Sequence, residues 1–285
     1  MYKPYIVSAD IYLLMEKWAT RHDFVLSEKE FFSNLREEFS DYMRRIFPDF
    51  ELVSEEEISL GLIELVEKSG LPVISLDHVY FQSKLNFEIA RLADEYGNDR
   101  GLGRRGNTLP LIKQVRKLKM SGVREAVLVD DVVFSGALIE RVVEVLSKIG
   151  ISVPLIIAGI GINEGINRIN GSREIRCVHT YNSVIDEVCE RDFYPGVPLS
   201  GRLLIGNDNI GIPYILPFGK PDGWASIPSD QTKNFSRFCI QQTITLFDEI
   251  AESSGKPVLC QDLGRKVLRL PTDSTPYTDV LRKIL

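Results

Sequence analysis

The residues best suited to chemistry lie in the stretch VLVDDVVFSGALI, at positions 127–139. Apolar residues lead into two adjacent carboxylates, Asp130 and Asp131, and a turn of small residues, Ser135-Gly136-Ala137, follows them. Two neighbouring acids after a buried strand are costly unless they have a partner. A small-residue turn before a helix exposes backbone N–H groups that can hold a phosphate. Carboxylates beside such a turn would bind vicinal hydroxyls or approach a divalent cation, and the ligand with both features is a ribose phosphate.

The segments around this stretch predict the elements that must position it. AVLVD predicts a strand, LIERVVEVLSKIG an amphipathic helix that ends at Gly150, and VPLIIAGI the next strand. Strand, tight turn, helix and strand form a βαβ unit, which implies a parallel sheet. The acidic pair then lies at the carboxyl end of a strand, where α/β sheets bind ligands.

The same stretch resembles the 5-phosphoribosyl-1-pyrophosphate (PRPP) motif of the type I phosphoribosyltransferases. The resemblance suggests a divergent member of that family, with a magnesium-dependent site for a phosphoribosyl ligand. It implies that Asp130 and Asp131 are catalytic, bind the ribose hydroxyls and lie at the Mg²⁺. It also implies a loop around the 5-phosphate, formed by Val133, Phe134, Ser135, Gly136, Ala137 and Leu138.

This loop departs from the family pattern in two respects. The family usually has Thr or Ser late in the loop, whereas Ala137 and Leu138 offer no hydroxyl. Some purine enzymes carry an acidic residue at the position of Phe134, which argues against a close relative in purine salvage. An acidic strand end followed by an ordinary turn is the alternative interpretation.

A basic, glycine-rich segment, GNDRGLGRRGNTLP, lies upstream of the acidic strand and contains Arg100, Arg104 and Arg105. In the resembling family, a flexible loop that closes over the pyrophosphate precedes the acidic strand in this order. The resemblance therefore implies a mobile lid over residues 97–107, in which Arg104 and Arg105 are catalytic because they stabilise the leaving pyrophosphate. A plain solvent-exposed turn is the alternative.

Three further segments are compatible with a functional or a structural role. SLDHVYFQSK, after the strand LPVISL, offers only His78 and Lys84 to a pyrophosphate loop, which therefore cannot be placed. ERDFYPGVPLSGR holds Arg191, Asp192 and Arg202 around a Pro/Gly turn, as a site or as a structural clamp. Trp224, in GKPDGWASIP, would stack on the acceptor base or anchor the packing of its loop.

The chain is expected to divide into three regions. Residues 1–70 form a helical region packed on the core, with N-caps expected at Ser27 and Ser54. Residues 71–218 form a phosphoribosyltransferase-like, doubly wound α/β core with strands LPVISL, FEIARL, AVLVD, VPLIIAGI, IRCVHTY and YILPF. Residues 219–285 form a C-terminal hood or helical extension that contains the helix NFSRFCIQQTITLFDEIAES.

Composition narrows the class of protein and its partners. The 285 residues are 44% hydrophobic and 26% charged, and the net charge of −6 argues against a nucleic acid partner. The four cysteines form no CxxC pair, which argues against a zinc site or a disulfide framework. The N-terminus has no signal-peptide pattern, and no stretch reaches the roughly 18 apolar residues of a membrane span. We expect a cytoplasmic protein without a membrane partner, of a kind that often forms homodimers.

Two functional hypotheses of different classes remain open. The first is an enzyme of nucleotide metabolism, a glycosyltransferase that moves phosphoribose between PRPP or a nucleotide and a base-like acceptor with Mg²⁺. The second is a non-catalytic sensor or scaffold that binds PRPP or a nucleotide on the same fold. The basic lid favours the enzyme, whereas the missing late-loop hydroxyl and the unplaced pyrophosphate loop favour the binder.

Overall fold

A computed structural model describes residues 2–169, 171 and 173–285. The strands are β1 Tyr5–Ser8, β2 Phe50–Val53, β3 Val73–Ser75, β4 Leu85–Asn86, β5 Ile89–Ala93, β6 Asp99–Arg104, β7 Glu125–Val133, β8 Ser152–Ile162, β9 Glu174–Tyr181, β10 Asp186–Cys189, β11 Arg202–Leu204, β12 Ile210–Ile212 and β13 Lys266–Val267. The helices are α1 Ile11–His22, α2 Lys29–Ile46, α3 Glu55–Glu67, α4 Leu111–Met120, α5 Ala137–Lys148, α6 Asn163–Ile169, α7 Pro221–Trp224, α8 Thr232–Ser254 and α9 Tyr277–Arg282.

The chain forms two compact units, each built from separate stretches of sequence. The first unit consists mainly of residues 53–89 and 103–184, and the second of residues 4–52, 90–102 and 185–285. This division differs from the three consecutive regions that we expected. Helix α3 belongs to the first unit rather than to an N-terminal helical region, and residues 185–218 belong to the second.

The first unit contains a five-stranded sheet in the order β4-β3-β7-β8-β9. Each neighbouring pair is parallel, with Ser75 beside Val129 and Val129 beside Ile157. The expected α/β architecture with a parallel sheet is therefore confirmed. Because the strands are parallel, the segments that follow β3, β7, β8 and β9 all leave the same edge of the sheet.

Helices cover both faces of this sheet. Alternate residues of β8, Ile156 and Ala158, belong to the apolar core that α4 and α5 complete. Gly159 faces the other way, where a Cβ atom would lie 2.7 Å from Ile58 of α3. Strands buried on both faces read as continuous apolar runs, which is why β7 and β8 were recognisable in the sequence.

The second unit contains two further sheets, in the orders β10-β1-β2 and β13-β12-β11-β5-β6. Strand β5 includes most of the predicted strand FEIARL, but it pairs with β11 in this unit rather than with the parallel core. The expected apolar stripe of α2 is buried, through Phe32, Leu35, Phe39 and Met43. The segment ERDFYPGVPLSGR was interpreted as a site or as a structural clamp, and its first residue, Glu190, favours the clamp. Glu190 is buried and accepts hydrogen bonds from Arg36 at 3.1 Å and from the backbone N–H of Asp10 at 3.1 Å.

Two local predictions about secondary structure were wrong. YILPF forms turns rather than a strand, and its Pro217, like the preceding Pro213, has no N–H to donate to a sheet. Ser27 is not an N-cap, because α2 begins at Lys29 and the Ser27 hydroxyl donates to Glu249 at 2.9 Å. Ser54 does cap α3, in a complete capping box with Glu57.

The basic segment 97–107 differs from the irregular loop that we expected. Residues 99–104 form strand β6, which lies beside β5. The turn between the two strands is closed by Asp94, whose carboxylate accepts from Arg100 at 2.7 Å and whose N–H donates to Asn98 at 3.1 Å. Within the part of the chain that the structure describes, no helix has the length and apolar character that crossing a membrane requires.

Gly159 tests how closely α3 packs over β8, which pairs with the strand that carries the acidic pair. A Cβ atom at this position would lie 2.7 Å from Ile58 and 2.9 Å from the carbonyl oxygen of Asp131. We expect Gly159→Ala to lower the free energy of unfolding by about 1–3 kcal/mol, the usual cost of overpacking. Gly223→Ala is the control, since its nearest neighbour would lie at 3.8 Å. Equal denaturant midpoints for the two variants would contradict the close packing.

Candidate functional site

The acidic pair lies within β7 rather than at its end. The strand continues to Val133, with Asp130 beside Ala158 and Val133 beside Gly161 of β8. Asp130 is only 5% exposed, and Asp131 is half-buried. The strand therefore carries two adjacent carboxyl groups close to its carboxyl end.

The environment of Asp130 opposes its ionisation. Burial, and then the charges of Asp131 and Asp77, raise the pKa of Asp130 well above its ordinary value. The backbone N–H of Asp131 donates to Asp130 at 3.0 Å, and it only partly offsets this effect. Asp130 therefore retains its proton to a higher pH than an exposed aspartate would. A ligand that donates hydrogen bonds, or a cation, would favour its release.

The turn after β7 has the geometry of an anion-binding loop. Gly136 has a φ of +75° and leads directly into the 12-residue helix α5. No acceptor among the described residues takes the backbone N–H groups of residues 135–138. Unpaired N–H groups at the start of a helix attract anions, because the helix dipole adds to their partial charge. The loop can therefore take a phosphate through its backbone, which needs no hydroxyl at Ala137 or Leu138.

Gly165, on α6, holds this loop in place. A Cβ atom there would lie 2.2 Å from the carbonyl oxygen of Phe134 and 2.9 Å from the nitrogen of Gly136. Only glycine therefore allows α6 to lie against the loop. Phe134, Ser135 and Ala137 are half-buried. The side chain of Val133, in contrast, is fully buried and that of Leu138 packs against the core, so neither is placed to contact a ligand.

The segment after β3, which we could not assign from sequence, is a loop organised by Asp77. This carboxylate is 3% exposed and accepts the N–H groups of Val79 at 2.8 Å, Tyr80 at 2.8 Å and Phe81 at 2.7 Å. Three backbone donors that could have bound a pyrophosphate are therefore already paired with an acceptor of the protein itself.

The two lid arginines are held by different partners. Arg104 donates to the carbonyl of Thr108 at 2.9 Å. Arg105 lies 3.5 Å from the carboxylate of Glu88 and donates to the carbonyl of Leu76, just after β3, at 3.4 Å. The structure thus brings Arg105 to the carboxyl end of β3.

Glu88 also holds His78, at 2.7 Å. Burial acts to raise the pKa of Glu88, but the hydrogen bond and charge of His78 and the charge of Arg105 lower it overall. Glu88 therefore remains an anion between two basic groups. Sequence reasoning missed Glu88, because nothing in the segment FEIARL shows that its glutamate contacts His78 and Arg105.

Trp224 lies in the second unit, at the end of α7. The guanidinium of Arg202 lies over its ring, 4.4 Å from the centroid, and the ring of Tyr214 meets it edge-on at 5.3 Å. One face of the indole is therefore already covered. Stacking of Trp224 on an acceptor base remains a prediction.

Sequence reasoning also missed an amide pair at the edge that carries the acidic residues. Asn163 follows β8 and Asn182 follows β9, and the Asn163 amide donates to the Asn182 carbonyl at 2.7 Å. Asn182 comes directly after the predicted strand IRCVHTY, and Asn163 lies three residues after the predicted strand VPLIIAGI, so their position was the available signal. They add neutral polar groups beside a charged site.

The carboxylates at this edge are of the type that Mg²⁺ prefers, but there are too few of them to form its coordination shell alone. Among the described residues, no group of three or more His, Cys, Asp or Glu side chains is arranged to hold a metal ion. Magnesium commonly takes one or two carboxylates and completes its shell with water and substrate phosphates. Asp130 and Asp131 fit that role, and their predicted part in metal binding depends on a phosphorylated substrate.

Comparisons with known proteins give a partial likeness to two solved enzymes. An adenine phosphoribosyltransferase from Thermoanaerobacter pseudethanolicus is 15% identical, with 42% of this chain and 78% of that chain covered and a TM-score of 0.26. An orotate phosphoribosyltransferase from Aeropyrum pernix is 19% identical, with 43% and 70% covered and a TM-score of 0.27. Scores this low do not decide the fold or the activity of the chain. No family model and no curated protein matches it.

The protonated acidic pair predicts an unusual dependence of stability on pH. A carboxyl group whose pKa is raised by folding stabilises the protein below its unfolded pKa, and that contribution is lost as the pH rises. An asparagine side chain does not ionise, so its burial adds no pH-dependent cost to folding. We therefore expect Asp130→Asn to stabilise the folded chain increasingly from about pH 4 to pH 8, by up to about 1.4 kcal/mol per pH unit.

Denaturant unfolding at several pH values measures this effect. The exposed Asp230 provides the control variant, Asp230→Asn, whose difference from the wild type should stay within about 0.5 kcal/mol at every pH. A stability difference for Asp130→Asn that is constant across the range would show that Asp130 ionises normally.

Proposed function

We propose that the chain binds a 5-phosphorylated ribose, either PRPP or a nucleotide, at the carboxyl edge of the parallel sheet. The observation that carries this proposal is that a buried carboxyl group, Asp130, and a half-buried one, Asp131, share one strand-to-helix connection with an open backbone loop. The loop at residues 135–138 takes the 5-phosphate, and Asp130 and Asp131 accept hydrogen bonds from the ribose hydroxyls. The resemblance of this stretch to the PRPP motif supports the same assignment.

The enzymatic form of the proposal is transfer of phosphoribose between pyrophosphate and a base-like acceptor. The bond between ribose C1 and a pyrophosphate oxygen breaks, its electron pair leaves with the pyrophosphate, and a nitrogen of the acceptor bonds to C1. The sugar passes through an oxocarbenium-like state, which the carboxylates of this chain stabilise and position. Magnesium, when bound, would offset the charge of the pyrophosphate. Arg105 is the lid residue best placed to meet the leaving group, because it already lies beside the end of β3.

The second candidate is a non-catalytic binder of the same ligand. It is favoured by Asp77, which takes the N–H groups of residues 79–81 that would otherwise be available to a pyrophosphate. A protein that holds the ribose 5-phosphate alone needs only the acidic pair and the loop at residues 135–138.

Calorimetry against PRPP, ribose 5-phosphate and pyrophosphate, with and without Mg²⁺, tests the binding site. The Asp130→Asn and Asp131→Asn double variant should lose affinity for PRPP and ribose 5-phosphate, by roughly 1.5–3 kcal/mol for each charge-assisted hydrogen bond removed. Gly165→Ala should also weaken both, because its Cβ would displace Phe134. Gly171→Ala, with nothing within 4 Å of its Cβ, should bind as the wild type does. Unchanged affinity in the folded double variant would remove the proposal.

Pyrophosphate release separates the enzyme from the binder. We expect the Arg104→Ala and Arg105→Ala double variant to slow magnesium-dependent release across a panel of bases by about 10²–10³, while PRPP affinity falls much less. Arg116→Ala, on the exposed face of α4, is the control and should release normally. If the wild type binds the ligand but releases no pyrophosphate with any base, the binder is correct. If it neither binds nor releases, both candidates fail.

A further inference from the structure

Helix α3 of the first unit presents an acidic and partly apolar face to solvent. Two apolar side chains, Leu60 at 59% and Ile63 at 41% exposure, lie between two exposed acids, Glu56 and Glu67. These four residues are separated by three or four positions, so they form one stripe along the helix. Within the described ranges, the side chains of Glu56 and Glu67 take part in no hydrogen bond or ion pair. The whole helix contains five glutamates and no basic residue.

Helix α4, in the same unit, presents a similar face of the opposite charge. Its exposed apolar side chains are Ile112 at 68% and Met120 at 79% exposure, and Leu109, just before the helix, is 50% exposed. The helix has no acid and four bases: Lys113, Arg116, Lys117 and Lys119. The side chains of Lys113 and Lys119 form neither a hydrogen bond nor an ion pair with any residue that the structure describes.

The two helices carry a large share of the apolar surface that the chain exposes. Of the ten large apolar residues that are exposed in the described part of the chain, five lie on α3, on α4 or within two residues of α4. Single exposed apolar residues are common, whereas a group of them within a band of one charge is typical of an interaction surface. A nucleic acid or an anionic membrane would account for α4 but not for α3, whose acids would repel both.

We propose that the two faces bind each other between copies of the chain, so that α3 of one copy packs against α4 of the next. The opposite charges make the faces complementary, and the apolar side chains at their centres supply the surface that association buries. The lengths also match, because helices of 13 and 10 residues span about 20 and 15 Å. A second copy of this chain is therefore the one partner whose chemistry explains both helices.

The positions of the helices determine what kind of assembly forms. Helix α3 packs on the face of the parallel sheet to which Gly159 points, and α4 packs on the other face, in the core that includes Ile156. A copy whose α3 is bound by one neighbour therefore still offers its α4 to another. Contacts of this head-to-tail kind produce a ring if the rotation closes and an open chain if it does not.

Sedimentation velocity over a range of protein concentrations tests the proposal. The average mass of the wild type should rise with concentration and fall with added salt, because salt screens the attraction between the two faces. Two charge-reversed variants, Lys113→Glu with Lys119→Glu on α4 and Glu56→Lys with Glu67→Lys on α3, should each weaken self-association by about 10-fold or more. In either variant, like charges face each other across the contact.

An equimolar mixture of the two variants separates this contact from a general effect of charge. The mixture should regain association, because each α3 in it finds an α4 of opposite charge on the other variant. The control variant, Arg45→Glu with Lys233→Glu, reverses two exposed bases of the second unit and should associate as the wild type does.

Three outcomes would overturn the proposal: a wild-type mass that does not change with concentration, unchanged association of either charge-reversed variant, or a mixture that stays monomeric. A monomeric wild type that binds a single-stranded RNA oligonucleotide, with binding lost in the α4 variant alone, would instead identify α4 as a nucleic acid surface.

Discussion

The arrangement at the carboxyl edge of the parallel sheet depends on the burial of Asp130 next to Asp131. Strand β7 is covered on both faces, so any residue near its carboxyl end is carried into a poorly solvated environment. Two adjacent ionised carboxylates there would repel strongly, since little water screens them. The free protein relieves the repulsion by retaining a proton, whereas a bound diol or cation would relieve it by direct contact. The pair can thus exist in two charge states, and under the proposed function a bound ligand would convert one into the other.

Two loops at the same edge of the sheet differ in whether their backbone N–H groups are already hydrogen-bonded. After β3, the N–H groups of residues 79–81 converge on the carboxylate of Asp77, which acts as an internal anion. After β7, the N–H groups of residues 135–138 have no such acceptor among the described residues, although Gly165 fixes the loop equally well. The first loop is complete without a ligand and the second is not. That contrast supports the proposed anion site at residues 135–138 more directly than the sequence motif does.

The parts of the fold that follow from local pattern were predictable from the sequence. Continuous apolar runs identified β7, β8 and β9, and the apolar stripe that ends at Gly150 identified α5. The pairing of β5 with β11 was not predictable, because it joins segments more than a hundred residues apart that belong to a discontinuous unit. The residues of the candidate site were likewise only partly predictable from the sequence. Asp130, Asp131 and the loop were visible in one stretch, whereas Asp77, Glu88 and Gly165 act through contacts that only the folded chain defines.

The acidic pair carries a cost in stability that folding alone does not require. Asp130 and Asp131 are adjacent on one strand, and burial together with the charges of Asp131 and Asp77 raises the pKa of Asp130. An asparagine at position 130 would avoid this cost. The N–H groups of residues 135–138, on the same strand-to-helix connection, have no acceptor among the described residues. A cost in stability combined with unused hydrogen-bonding capacity is what the proposed binding site would require, since a bound ligand would resolve both.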